Sequence, residues 1–277
     1  MRNVSTFEDL RTARLSLKGM VGLIPTMGYL HEGHLSLIRR ARQDCESVVV
    51  SIFVNPTQFG PHEDLSKYPR DLQRDMDLIS PLGVDVVWTP TPEIMYPAGY
   101  QTWVEVGALT QRLEGEMRPG HFKGVTTVVA KLFNAVHPRK AYFGQKDAQQ
   151  AAVIRRMTQD LNFPIEVIIC PTVREADGLA MSSRNKFLEG EDRKAATILF
   201  RALSAAKDAY EKGIRDAEML RTIMKDTLAS EPRAQVQYVS CADYDTLEEL
   251  DVVKGKTLLS MAVLLGKTRL IDNFVLG

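Results

Sequence analysis

The chain has 277 residues, 44% of them apolar and 25% charged, the composition of an ordinary globular protein long enough for two domains of unequal size. Lys+Arg and Asp+Glu both number 35, so the formal net charge is zero, which argues against a nucleic-acid or acidic-membrane partner. No run approaches the roughly 18 apolar residues of a membrane span, and residues 1–18 lack the unbroken apolar stretch of a signal peptide. Cys45, Cys170 and Cys241 lie far apart and make no metal or disulfide pattern, which fits reduced thiols in a cytoplasmic protein.

Taken in chain order, short apolar runs at 21–24, 48–54, 84–88, 103–106, 140–143 and 165–169 predict strands, several of them apolar enough to be covered on both faces. Between them, residues 34–43, 72–79, 125–136 and 147–161 carry apolar side chains at helical spacing; Val125, Val128, Val129, Leu132 and Phe133 form one such stripe. Strands alternating with helices predict an α/β fold with a Rossmann-like, doubly wound parallel sheet. Past Pro171 the pattern changes to two helices at 190–210 and 216–229, then strands at 235–242, 257–265 and 269–275. That order predicts a second, smaller α+β domain, with residues 1–172 in the first domain and 173–277 in the second.

In an open α/β sheet the turn after the first strand is a usual phosphate site. Here it contains Met27, Gly28, Tyr29, Leu30, His31, Glu32, Gly33 and His34, with a helix expected near His34. Gly28 and Gly33 allow close backbone approach, and the helix N-terminus offers unpaired N–H groups to an anion. Two imidazoles three residues apart share one side of that first turn and can donate to phosphate oxygens. No Gly-Lys-Ser/Thr follows and no G-x-G-x-x-G occurs, so neither a Walker loop nor a dinucleotide cofactor is indicated. A zinc pair lacks a third His or Cys ligand nearby. The His-x-Gly-His sequence resembles the signature of the nucleotidyltransferase superfamily, which includes class I aminoacyl-tRNA synthetases.

Two later segments add chemistry. Gly144, Gln145, Lys146 and Asp147 follow a strand and open a helix, and a lysine there runs against the helix dipole, as a functional residue can. Residues 174–185 hold Met181, Ser182, Ser183 and Arg184 in a loop between the expected domains, where hydroxyls and a bidentate guanidinium suit a mobile arm over a triphosphate. This loop resembles the Lys-Met-Ser-Lys-Ser loop of the same superfamily.

Together, stretches 25–34, 53–60, 64–70, 118–125, 143–150 and 178–185 resemble, in this order and over essentially the whole chain, the pantoate–β-alanine ligase (pantothenate synthetase) family. The resemblance implies ATP-dependent condensation of pantoate with β-alanine, releasing AMP and diphosphate, through a bound pantoyl adenylate. It implies an ATP site of Met27 to His34, Gly144 to Asp147, Val173 and Met181 to Arg184. It implies pantoate contacts by Gln58 and Gln150, with Gln58 also near β-alanine, and Mg²⁺ and a homodimer as companions. Catalysis then rests on His31, His34, Lys146 and Arg184, which neutralise charge around the α-phosphate and the leaving diphosphate. His34, the family's proton donor, reads here more as a hydrogen-bond donor to the pentavalent phosphate. Asp64, Asp71, Asp75 and Asp77 include candidates for a metal contact, although a solvated helix face accounts for most of them. A hinge near residues 171–173 is expected, closing the second domain as a lid that keeps water from the adenylate. The loop leaves open an adenylyltransferase acting on another acceptor, or a nucleotide-binding or RNA-binding module without chemistry.

Overall fold

The computed structural model describes residues 1–60 and 65–277; Asp64 lies outside the described residues. The chain divides into two compact units, one of Met1–Gly144 with Gln149–Cys170, the other of Gln145–Ala148 with Pro171–Gly277.

The first unit is built on six strands: β1 (Arg2–Val4), β2 (Val21–Thr26), β3 (Ser47–Ile52), β4 (Val86–Trp88), β5 (Lys140–Gly144) and β6 (Glu166–Cys170). Every pairing is parallel, in the order β1-β4-β3-β2-β5-β6. Alternation along the strands decides which face each side chain enters. Leu23 and Val49 join the core under helices α1 (Phe7–Ser16) and α4 (His121–Val136), while Ile24, Val48 and Val50 join the core under α2 (Glu32–Asp44). Leu23 and Ile24 are both fully buried, so each is worth about 1.5–3 kcal/mol of apolar burial. Two further helices, α3 (Leu72–Ile79) and α5 (Ala148–Asp160), follow the third and fifth strands. The strand order reverses between β2 and β5, and such a switch point is where an α/β sheet opens a crevice at its carboxyl edge.

The second unit packs helices α6 (Gly190–Ala195), α7 (Ile198–Glu211) and α8 (Ala217–Ala229) on an antiparallel sheet of β7 (Ala234–Asp243), β8 (Thr257–Leu265) and β9 (Thr268–Leu276). No helix among the described residues is long and apolar enough to cross a membrane.

Several elements differ from the sequence reading. The run at 103–106 forms no strand: the Val104 N–H donates to Thr127 Oγ1 (3.0 Å) and its carbonyl accepts from Thr126 Oγ1 (2.6 Å), so a helix side takes the place of a neighbouring strand. The expected single helix at 190–210 is broken into α6 and α7, where the Thr197 hydroxyl turns back to the Lys194 carbonyl at 2.9 Å. Strand β1, only three residues long, lies on the sheet edge and has no sequence pattern to announce it.

Candidate active site

The loop after β2 is built by its own histidines. His31 is the N-cap of α2, and its Nδ1 accepts the Gly33 N–H at 3.2 Å. Three residues on, His34 Nδ1 accepts the His31 N–H at 3.3 Å, closing a capping box of two imidazoles in place of the usual Ser and Glu. The two rings lie 4.1 Å apart. Because each Nδ1 accepts, this hydrogen-bond network assigns the proton of each neutral ring to Nε2, so each ring is an N–H donor at a helix start. It also removes the pair as metal ligands, since a protonated Nε2 has no lone pair to give. Gly33 is required by the arrangement: a Cβ there would stand 2.9 Å from His31 Cε1 and 3.0 Å from Nδ1.

Upstream, the backbone turns left-handed at Gly28 (φ 82°) and at Tyr29 (φ 51°), a conformation that a tyrosine holds only under constraint. The constraint is Asp75 on α3. Its Oδ2 accepts the Tyr29 N–H and its Oδ1 the Leu30 N–H, both at 2.7 Å. Arg74 lies over the Tyr29 ring at 4.8 Å. Asp75 is 1% exposed, so it is not among the aspartates that a solvated helix face accounts for. Burial pushes its carboxyl above the ordinary value, against the pull of the two N–H bonds and Arg74. Asp71 is the N-cap of α3, and Asp77 accepts from Gln73 in solvent. Among the described residues, no three His, Cys, Asp or Glu side chains are grouped to hold a metal ion.

Gln58 ends a short turn, Pro56–Gln58, beyond β3. Its buried amide donates to Met27 Sδ at 2.9 Å and accepts from Asn55 Nδ2 at 3.2 Å, so it lies against the loop after β2. Asn55 is fully committed: it donates to the Gly124 carbonyl and accepts from Thr57 and from the Tyr96 hydroxyl (2.9 Å). The start of α4 supports the same turn. Arg118 donates to His121 Nε2 at 3.0 Å, which fixes His121 as the Nδ1–H tautomer donating to the Gln58 carbonyl at 2.8 Å. Gly124 lets the helix touch the turn, because a Cβ would stand 2.4 Å from the Thr57 carbonyl oxygen. The sequence marked 118–125 only as a matching stretch; its work is to hold Gln58. Gln150, on α5, is half-buried and bonds to no described residue through its amide, whereas Gln149 beside it is spent on the Glu114 N–H and the Leu109 and Arg112 carbonyls.

In the second unit, Gln145, Lys146 and Asp147 form a single 3-10 turn. The Lys146 ammonium is 3.8 Å from Asp147 and its side chain is 16% exposed. A recess in this unit is lined by Lys146, Ala180, Ser182, Arg184, Asn185 and Asp272, so the structure brings together the lysine and the arm that the sequence singled out separately. Ser182 caps the turn Ser183–Phe187 by accepting the Arg184 N–H at 3.2 Å, which leaves its hydroxyl proton free to donate. Arg184 has no acidic partner among the described residues. Asn185 Oδ1 is buried with no donor, while its Nδ2 is fixed by Glu175 and the Ala180 carbonyl, so the amide cannot flip to cure it. Val173 accepts the Met181 N–H at 2.9 Å and holds the two ends of the arm together.

The family profile described as Pantoate-beta-alanine ligase matches residues 1–275. The chain belongs to the pantoate–β-alanine ligase family. A relative named pantothenate synthetase from Roseiflexus castenholzii is 58% identical over 276 residues, covering 100% of this chain and 99% of that one. The crystal structure of the pantothenate synthetase from Thermus thermophilus superimposes with a TM-score of 0.95 at 48% identity, covering 99% of each chain. A pantoate–β-alanine ligase from Francisella tularensis, solved in complex with beta-gamma ATP and β-alanine, matches with a TM-score of 0.81 at 35% identity over 99% of this chain and 97% of that one. The parallel six-stranded sheet with a separate antiparallel unit is the architecture of these ligases.

Proposed function

We propose that the chain joins pantoate to β-alanine at the expense of ATP, giving pantothenate, AMP and diphosphate, as a ligase of pantothenate biosynthesis. The full-length family match carries this reading, and it favours the ligase over an adenylyltransferase for another acceptor. In the first step a pantoate carboxylate oxygen attacks the α-phosphorus; the bond to the bridging oxygen breaks and diphosphate leaves with the electron pair. In the second step the neutral amine of β-alanine attacks the acyl carbon, AMP leaves, and the amine gives up a proton.

We assign the first step to His31, His34, Lys146 and Arg184. The Nδ1 engagement of both histidines supports donation from Nε2–H to phosphate oxygens, and it disfavours a role for either ring as a base. A fixed donor pair aimed at developing charge lowers the barrier because no reorganisation is needed at the moment of reaction. The ATP site would comprise Met27 to His34, Gly144 to Asp147, Val173 and Met181 to Arg184. Gln58, with an amide that both donates and accepts, would hold pantoate and lie near β-alanine, and Gln150 would supply the second amide. Mg²⁺ bound with the nucleotide would offset phosphate charge; no residue of this chain is assigned to it. A homodimer through the first unit is the assembly that the resemblance implies. Three unpaired, buried thiols support a reducing, cytoplasmic setting.

The test is AMP formation from ATP, pantoate and β-alanine, followed in two half-reactions. His34→Ala and Lys146→Ala should each slow diphosphate release by orders of magnitude with the fold intact. Near-normal adenylate formation by either variant would remove that residue from the assignment.

A further inference from the structure

Lys146 stands on a three-residue turn that no ladder holds. Its carbonyl is also bound by Asn273, on β9, 127 positions away along the chain. Asn273 Nδ2 donates to the Gln145 carbonyl at 3.0 Å and to the Lys146 carbonyl at 2.9 Å, and its Oδ1 accepts from Gln145 Nε2 at 3.0 Å. The amide is 4% exposed and turns both donors and its acceptor onto this one turn. Tyr244 closes the other side, its hydroxyl 3.2 Å from Gln145 Oε1.

Asn273 is itself anchored. Its N–H donates to Asp272 Oδ1 at 2.8 Å, and Asp272, 2% exposed, forms a bidentate pair with Arg174 at 2.7 and 2.8 Å. Arg174 packs against both the Phe200 and Phe274 rings, at 5.0 and 4.9 Å, and donates to the Gly178 carbonyl at 2.9 Å. One connected set of bonds thus runs from the Lys146 turn to the segment that leads into Met181–Arg184. Bidentate and packed against two rings, the Arg174 guanidinium has little freedom to let that set drift.

We propose that Asn273 is a positioning residue for the first half-reaction: it holds the backbone from which Lys146 reaches the phosphates of ATP. The proposal rests on the assignment of Lys146 given above. No other side chain of this size supplies two donors and one acceptor in this geometry. An aspartate would set a carboxylate oxygen about 3 Å from two carbonyl oxygens. An alanine would take the Asn273 donor away from both carbonyls, and the turn would relax.

The experiment compares wild type, Asn273→Ala, Lys146→Ala and the double variant in both half-reactions. Asn273→Ala is expected to slow diphosphate release about 10- to 100-fold, the scale of a displacement near 1 Å. Its KM for pantoate, and its rate with preformed pantoyl adenylate and β-alanine, should stay within about twofold of wild type, because neither depends on Lys146. In the Lys146→Ala background, Asn273→Ala should cost less than about twofold more, since residues acting through one another are not additive. Equal slowing in both backgrounds, or none in either, overturns the proposal. If Lys146→Ala itself leaves diphosphate release unchanged, the assignment of Lys146 is what fails, and the proposal falls with it. Should Asn273→Ala not fold, Asn273→Ser, which keeps one donor, is read the same way with a smaller expected slowing.

Discussion

Asp75→Asn isolates the contribution of one buried carboxylate to the histidine loop after β2. The carboxylate accepts two backbone N–H groups at 2.7 Å, one on each oxygen. An asparagine keeps one acceptor and presents an NH₂ to the other N–H, so one buried donor loses its partner. Such a loss costs about 1–3 kcal/mol, and each kcal/mol lowers the melting temperature of a unit of this size by about 2–4 °C. The left-handed Tyr29 relaxes with it, and adenylate formation is expected to fall by about tenfold or more. Thermal unfolding by circular dichroism and diphosphate release are measured together. The pH dependence carries a second signature. Burial, the largest influence, raises the Asp75 carboxyl above its ordinary 3.8, so the part of stability linked to its proton, which adds to the N–H bonds, is complete below 3.8 and is lost as pH rises through the raised value. The stability margin of wild type over the variant should therefore widen as the pH is lowered from 7 toward 4. An unchanged melting temperature and rate, or a margin that narrows in acid, would refute the reasoning.

Three other substitutions probe separate supports. Gly33→Ala sets a methyl 2.9 Å from the His31 ring, which can swing aside; the melting temperature should hold within a few degrees while diphosphate release drops about tenfold. Retention of full activity would show that the capping geometry is dispensable. Gly124→Ala places a Cβ 2.4 Å from the Thr57 carbonyl, which is backbone and cannot swing; the helix must withdraw, with a stability loss of about 1–3 kcal/mol and a rise in the pantoate KM. A normal KM in a folded variant would detach Gly124 from the Gln58 turn. Gln58→Ala should weaken pantoate binding measured calorimetrically, and unchanged affinity would count against its assignment.

The parallel sheet was legible because its strands are apolar on both faces, as Val48, Val49 and Val50 show by entering two different cores. The run at 103–106 was misread because alternation reports burial of side chains and not what satisfies the backbone, here the hydroxyls of Thr126 and Thr127. The histidine loop was legible for a local reason: an N-cap and the third residue after it meet in any helix, whatever the tertiary fold. Asp75 and Asn273 were not, since each reaches its partners across more than forty positions of chain, and an aspartate on an amphipathic helix looks the same whether it faces water or a loop. Gln58 was marked, but its holders Tyr96 and His121 became visible only when α4 met the turn.

The double-imidazole cap ties two fates together. The first turn of a helix is where fraying begins, and here the atoms that resist fraying belong to the rings that would meet phosphate. Warming that loosens only the start of α2 would turn both rings away from their donor geometry while the sheet beneath it stayed intact. The chain should then inactivate reversibly at temperatures below its melting transition, and nucleotide bound at that helix start should narrow the gap between the two.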